Sequence, residues 1–159
     1  MKKALFFENA KLLAEKFDIV PLMYGSLGLE YITGKIQNVD DVDILIPEVF
    51  LNLRWHEFRT FLENQGYVLV DEHEHTFQRN DIFYSYASIE ELELFAGINL
   101  SDIKQQRKDD IPFYLLTLEQ YLKVYTASAK DGYRVNVRKK KDNEKIEFIG
   151  NQLKNRRLK

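Results

Sequence analysis

Asp41 and Asp43 flank a single valine at the head of the apolar run Ile44-Leu45-Ile46. Residues two apart in a strand point to the same side, so a strand over 42–46 sets two carboxylates next to each other, a hard-oxygen pair suited to magnesium. Upstream, Gly25-Ser26 ends the hydrophobic stretch Leu22-Met23-Tyr24. A glycine there permits close backbone approach, and a helix starting at that turn offers N–H groups and the positive end of its dipole to a phosphate. A phosphate grip beside a metal platform is equipment for phosphoryl or nucleotidyl transfer. Two acids also begin many strands as a solvated entry, and the Gly-Ser turn is what favours the chemical reading.

The surrounding elements must hold these residues in place. Apolar spacing predicts an amphipathic helix over 2–16, and Ile19 to Tyr24 has the length of a strand, with Pro21 pointing to an edge or to a start after it. Ser26 as N-cap and Gly34 as C-cap delimit a helix of about two turns. A loop over 35–40 leads to the strand 42–46, stopped by Pro47. A helix is predicted between Val49 and Asn64, carrying Phe50, Leu53, Phe58, Phe61 and Leu62 inward. Strands follow over 67–71, 75–79 and 82–87, the last two joined by a tight Asn80-Asp81 turn, so this half of the sheet is expected to be antiparallel. Residues 88–110 read as irregular, with a polar run from Lys104 to Asp110. A strand over 111–116, a capping box Thr117-Leu118-Glu119-Gln120 opening a helix to about Lys130, and a last helix over 141–153 complete the chain.

Gly25-Ser26, a short helix bearing Gly28 and Glu30, Gly34-Lys35 and then Asp41-Val42-Asp43 together resemble the nucleotidyltransferase superfamily. This is the polymerase beta-like group, and the likeness is strongest to its lincosamide- and aminoglycoside-type antibiotic-modifying members. It rests on specific residues between Leu22 and Pro47, and elsewhere on the order of elements. The resemblance implies an α+β fold with a mixed, partly antiparallel sheet flanked by helices. It implies a single domain over 1–159, with a core at about 18–116 and a C-terminal helical part at about 117–159. Asp41 and Asp43 would be the catalytic and magnesium-binding pair, with Gly25, Ser26 and Lys141 holding nucleotide phosphates. The implied partners are a nucleoside triphosphate, magnesium and a small molecule whose hydroxyl attacks the α phosphorus and releases pyrophosphate.

Members of that superfamily usually place a third carboxylate on a later strand. Here the corresponding strand, Ile82-Phe83-Tyr84-Ser85-Tyr86-Ala87, contains no acid, and Ser85 stands where the acid would be. Glu74, Asp81 or Glu90 would substitute only in a different strand register. Two readings therefore stand: a transferase, or a nucleotidyltransferase-like binding or regulatory module without catalysis. His73 and His75 alternate as a conceivable metal pair without a third ligand, and a solvated edge is the stronger reading. His56 reads as helix packing, and Tyr84, Tyr86, Tyr121, Tyr125 and Tyr133 as core more than as base-stacking surface. Lys141-Asp142 at the start of the last helix is similar to a basic-acidic pair in related proteins, with Arg138 or Lys139 as further phosphate contacts.

Composition bounds these readings. Apolar residues at 45% and charges at 30% over 159 residues describe one folded domain, and the absence of cysteine excludes disulfides and thiolate chemistry. Glu8, Lys11, Glu15 and Lys16 break up the N-terminal apolar stretch, and no uninterrupted apolar segment has the length of a membrane span, so a cytoplasmic protein without membrane contact is expected. Between Arg134 and Lys159 ten Lys and Arg face three acids, a local +7 that leaves −9 on residues 1–133 of the overall −2. The basic tail suits a phosphate-bearing ligand, whereas the acidic body would repel a long polyanion and counts against nucleic acid.

Overall fold

A strand of only two residues, β1 (Leu22–Met23), lies inside a seven-stranded mixed sheet. It pairs antiparallel with β2 (Val42–Ile46) and parallel with β7 (Ile111–Leu115). On the far side of β2 runs β5 (Ile82–Ser88), parallel to it, followed by the antiparallel β4 (Thr76–Arg79) and β3 (Val68–Asp71). The antiparallel β6 (Lys104–Lys108) closes the other edge, giving the order β3-β4-β5-β2-β1-β7-β6. Pro21 sits just ahead of β1, and its carbonyl accepts from the Tyr114 N–H at 2.9 Å. The computed structural model describes residues 2–35, 37, 39–130 and 139–157.

The sheet belongs to the first of two compact units, Met1–Glu90 with Lys104–Leu115. Alternation along the strands sends Met23, Val42, Ile44, Ile46, Phe77, Tyr84 and Tyr86 into one hydrophobic core. Helix α1 (Lys2–Phe17) contributes Phe6, Phe7, Ala10 and Leu13 to it, and α3 (Trp55–Asn64) contributes Phe58 and Leu62. Asn9 is a polar residue on the buried stripe of α1. Its Nδ2 donates to the Tyr67 and Tyr86 hydroxyls at 3.0 and 2.8 Å, which ties the helix to the sheet.

The second unit, Glu91–Ile103 with Leu116–Lys159, is helical in its described residues. It holds α4 (Glu91–Ala96), a 3-10 turn at Leu100–Asp102, α5 (Leu118–Lys130) and α6 (Lys139–Arg157). The capping box forms: the Thr117 N–H donates to Gln120 Oε1 at 2.9 Å and the Gln120 N–H to Thr117 Oγ1 at 3.1 Å. Between α5 and α6, the buried Ser128 hydroxyl donates to the buried Asp142 carboxylate at 2.6 Å.

Three sequence expectations are corrected. The region 88–110 is ordered into α4, the 3-10 turn and β6. The run Lys-Gln-Gln-Arg-Lys shows no apolar alternation because β6 is an edge strand, and charge on an edge discourages pairing with other chains. The predicted helix between Val49 and Asn64 is broken into a 3-10 turn at Glu48–Leu51 and α3, with Leu53 90% exposed at the break. His56 is exposed on α3 and does not pack. Among the described residues no helix is long and apolar enough to cross a membrane.

Candidate functional site

The antiparallel pairing of β1 with β2 continues one step beyond β1, where the Tyr24 N–H donates to the Asp43 carbonyl at 3.0 Å. The chain then turns at Gly25, with φ of +62°, into α2 (Gly25–Thr33). Tyr24, in extended conformation, is the N-cap of that helix, and Ser26 lies in its first turn, so the expected Ser26 cap is corrected. The expected end is found: Gly34 adopts the left-handed conformation at φ 68° and its N–H donates to the Glu30 carbonyl. Because the turn follows the last rung of the β1–β2 ladder, the start of α2 is fixed beside β2. The Gly28 N–H donates to the Tyr24 carbonyl at 3.3 Å, and the N–H groups ahead of it face the open end of the helix.

Gly25 touches Asp43. A Cβ built on Gly25 would stand 2.6 Å from Asp43 Oδ2, closer than real side chains approach, and a tight 3.3 Å from its Cγ. Position 25 thus needs glycine for its backbone angle and for the carboxylate against it. The Gly-Ser turn and the second aspartate, 18 positions apart in the chain, form one local surface. Asp43 is half-buried inside β2, and Asp41 is half-buried in the bend just ahead of that strand.

This donor set fits magnesium, which takes hard oxygen ligands and is commonly held by one or two carboxylates together with substrate phosphates. The glycine cradle leaves the Asp43 carboxylate a space that any side chain at 25 would fill. Among the described residues no group of three or more His, Cys, Asp or Glu is placed to hold a metal ion.

Asp43 faces away from the hydrophobic core, and across β5 its register partner is Ser85. The next partner on that row is Thr76 of β4, whose Oγ1 lies 2.9 Å from Ser85 Oγ. This fixes the register left open by the sequence: neither Glu74, Asp81 nor Glu90 aligns with Asp43. Glu74 is in the β3–β4 turn, Asp81 in the β4–β5 turn, and the Glu90 carboxylate accepts from the Glu48 N–H.

The other sequence candidates fall on separate elements. Lys141 is exposed in the first turn of α6, in the second unit, while its neighbour Asp142 is engaged by Ser128. Tyr84, Tyr86 and Tyr121 are buried and present no stacking face. His73 is exposed in the β3–β4 turn, whereas His75 packs edge-on against Trp55 with ring centroids 4.8 Å apart. Arg138 and Tyr133 fall outside the described residues, as does the side chain of Lys139. Sequence reasoning missed the Gly25–Asp43 contact and the Ser85–Thr76 pair, and the only signal for either was the expected order of strands.

Comparison with known proteins adds a relative and a fold. No protein-family profile matches the sequence. The uncharacterized protein YnaI of Bacillus subtilis (strain 168) is 37% identical over 150 residues, covering 94% of this chain and 96% of that protein. Among solved structures, ANT(2'')-Ia in complex with adenylyl-2''-tobramycin superposes with a TM-score of 0.61 at 12% identity, over 96% of this chain and 90% of that one. An antigenic nucleotidyltransferase-like protein from Paracoccidioides brasiliensis superposes with a TM-score of 0.60 at 14% identity, over 92% and 74% of the two chains. At these identities the likeness is one of fold.

Proposed function

The chain belongs to the same family as Bacillus subtilis YnaI and has the nucleotidyltransferase fold, and from that premise we propose that it binds a nucleoside triphosphate with magnesium at Gly25, Ser26, Asp41 and Asp43. The bound nucleotide would donate its nucleotidyl group to a hydroxyl of a small molecule. The observation that carries this reading is the contact of Gly25 with the Asp43 carboxylate, which puts a helix N-terminus and a metal-competent acid on one surface. Asp41 and Asp43 would hold the ion, which when bound neutralises charge on the phosphate oxygens. The first-turn N–H groups of α2 and the Ser26 hydroxyl would take the outer phosphates, and the rigid β1–β2 ladder would keep acids and turn in register.

Ser85 favours a second reading. The strand position beside Asp43 holds a hydroxyl already paired with Thr76, so no carboxylate there can take a proton from an acceptor. On this reading the protein binds nucleotide and signals or regulates without transferring it.

Titration calorimetry with ATP and other nucleoside triphosphates tests the common part. Binding is expected with magnesium and not with EDTA, and it should be lost in the double variant Asp41→Asn, Asp43→Asn. Absence of nucleotide binding under both conditions would refute the proposal. Pyrophosphate release in the presence of small-molecule hydroxyl acceptors then separates transferase from binding module.

A further inference from the structure

Asp43, Ser85 and Thr76 form a row across β2, β5 and β4 on the side of the sheet away from the hydrophobic core. Adjacent strands lie about 4.8 Å apart, so the Ser85 backbone is the nearest neighbour of Asp43 on that side of β2. The row continues to Asp71 of β3, which is the next acid along it. Asp71 is three strand spacings from Asp43, roughly 14 Å, and its Oδ1 accepts from the Glu74 N–H. No carboxylate on this row can share an ion with Asp43.

Sites that hold two divalent ions place them about 3.5–4 Å apart. At that separation the repulsion between dications is four times that of unit charges, and anionic ligands must offset it. Asp41 and Asp43 supply two negative charges, enough to anchor one magnesium alongside a triphosphate. The neighbouring strand supplies a neutral hydroxyl whose oxygen is engaged by Thr76. We infer that this is a one-metal nucleotide site, and that Ser85, held by Thr76, is the residue that keeps a second ion out. The inference rests on the nucleotide reading above and specifies the metal content of that same site.

The test counts ions. Manganese replaces magnesium, a triphosphate analogue with a non-cleavable α–β bridge is added at saturation, and bound ions per bound nucleotide are measured by equilibrium dialysis with electron paramagnetic resonance. The wild-type protein is expected to hold one ion per nucleotide with an uncoupled manganese spectrum. Ser85→Asp, which adds a carboxylate in register with Asp43, is expected to hold two, with the exchange-coupled signal of a close pair. Thr76→Ala, which frees the hydroxyl but adds no charge, should stay at one. Two ions in the wild-type protein would overturn the inference and leave nucleotide binding standing. A folded, nucleotide-binding Ser85→Asp that still holds one ion would remove Ser85 as the limiting residue. Failure of the wild-type protein to bind the analogue with any metal would instead overturn the nucleotide reading, and this inference with it.

Discussion

A methyl group at position 25 would have to occupy the space now taken by the Asp43 carboxylate. Gly25→Ala therefore meets two penalties, a left-handed backbone angle and a Cβ 2.6 Å from Asp43 Oδ2. Gly34 shares the first without the second, because a Cβ there meets nothing within 4 Å. Gly34→Ala should cost about 1 kcal/mol, and Gly25→Ala about 2–3 kcal/mol, read from urea midpoints at unchanged slope. Nucleotide affinity should fall only in Gly25→Ala. Equal stability losses in the two variants would show that Asp43 yields to the added methyl. The Gly-Ser pair and the Asp-Val-Asp triplet were legible in the sequence because each is a local pattern. The contact between Gly25 and Asp43 was not, since it depends on a two-residue strand placing one beside the other.

At the scale of elements, the buried amide of Asn9 connects α1 to β5 and to Tyr67. Asn9→Ala strands the buried Tyr86 hydroxyl, leaves the Tyr67 hydroxyl with Arg79 alone and opens a void, so a loss of about 2 kcal/mol is expected in denaturant unfolding, with Phe6 and Leu13 still holding the helix in place. The β3–β4 hairpin has a pH-sensitive contact. Burial against Trp55 holds the His75 pKa below the ordinary imidazole value, outweighing the pull of Glu74 and other nearby acids. The unfolded chain therefore binds this proton more readily. The stability His75 contributes is present above its unfolded pKa, near 6.5, and is lost as pH falls through that value toward the lower folded one. Melting temperature should decline below about pH 6.5, and His75→Phe should flatten that decline. An unchanged profile in the variant would assign the acid sensitivity to other groups. The capping box and the Asn80-Asp81 turn were readable because their residue types dictate local geometry, both turn residues having positive φ. β6 was not readable, because an edge strand has no face to bury and so no alternation to show.

At the scale of the whole molecule, the sheet order brings together strands far apart in sequence, which only the folded chain reveals. Periodicity located most of the helices and strands and the family resemblance implied the α+β class, but the insertion of β2 between β1 and β5 is a long-range pairing that no local signal encodes. That arrangement puts Tyr84 and Tyr86 of β5 in the hydrophobic core beside Val42 and Ile44 of β2. Burial, reinforced by the neighbouring Tyr67, pushes the Tyr84 hydroxyl up to about 12. Tyr86 is raised well above 10, also chiefly by burial, although the amide of Asn9 donates to its hydroxyl. Unfolded tyrosines ionise near pH 10, so above that pH the unfolded chain releases protons that the folded chain retains. Stability is then fully present below about pH 10 and is lost as pH rises through the folded values. Thermal melts between pH 8 and 12, followed with tyrosinate absorbance, should show late ionisation of buried phenols coincident with loss of fold. Tyr84→Phe should make the decline between pH 10 and 12 shallower, since one raised group is gone while the packing against Tyr67 is kept. If all tyrosines titrate near pH 10 with the fold intact, the sheet opens to solvent more readily than its buried aromatic core implies.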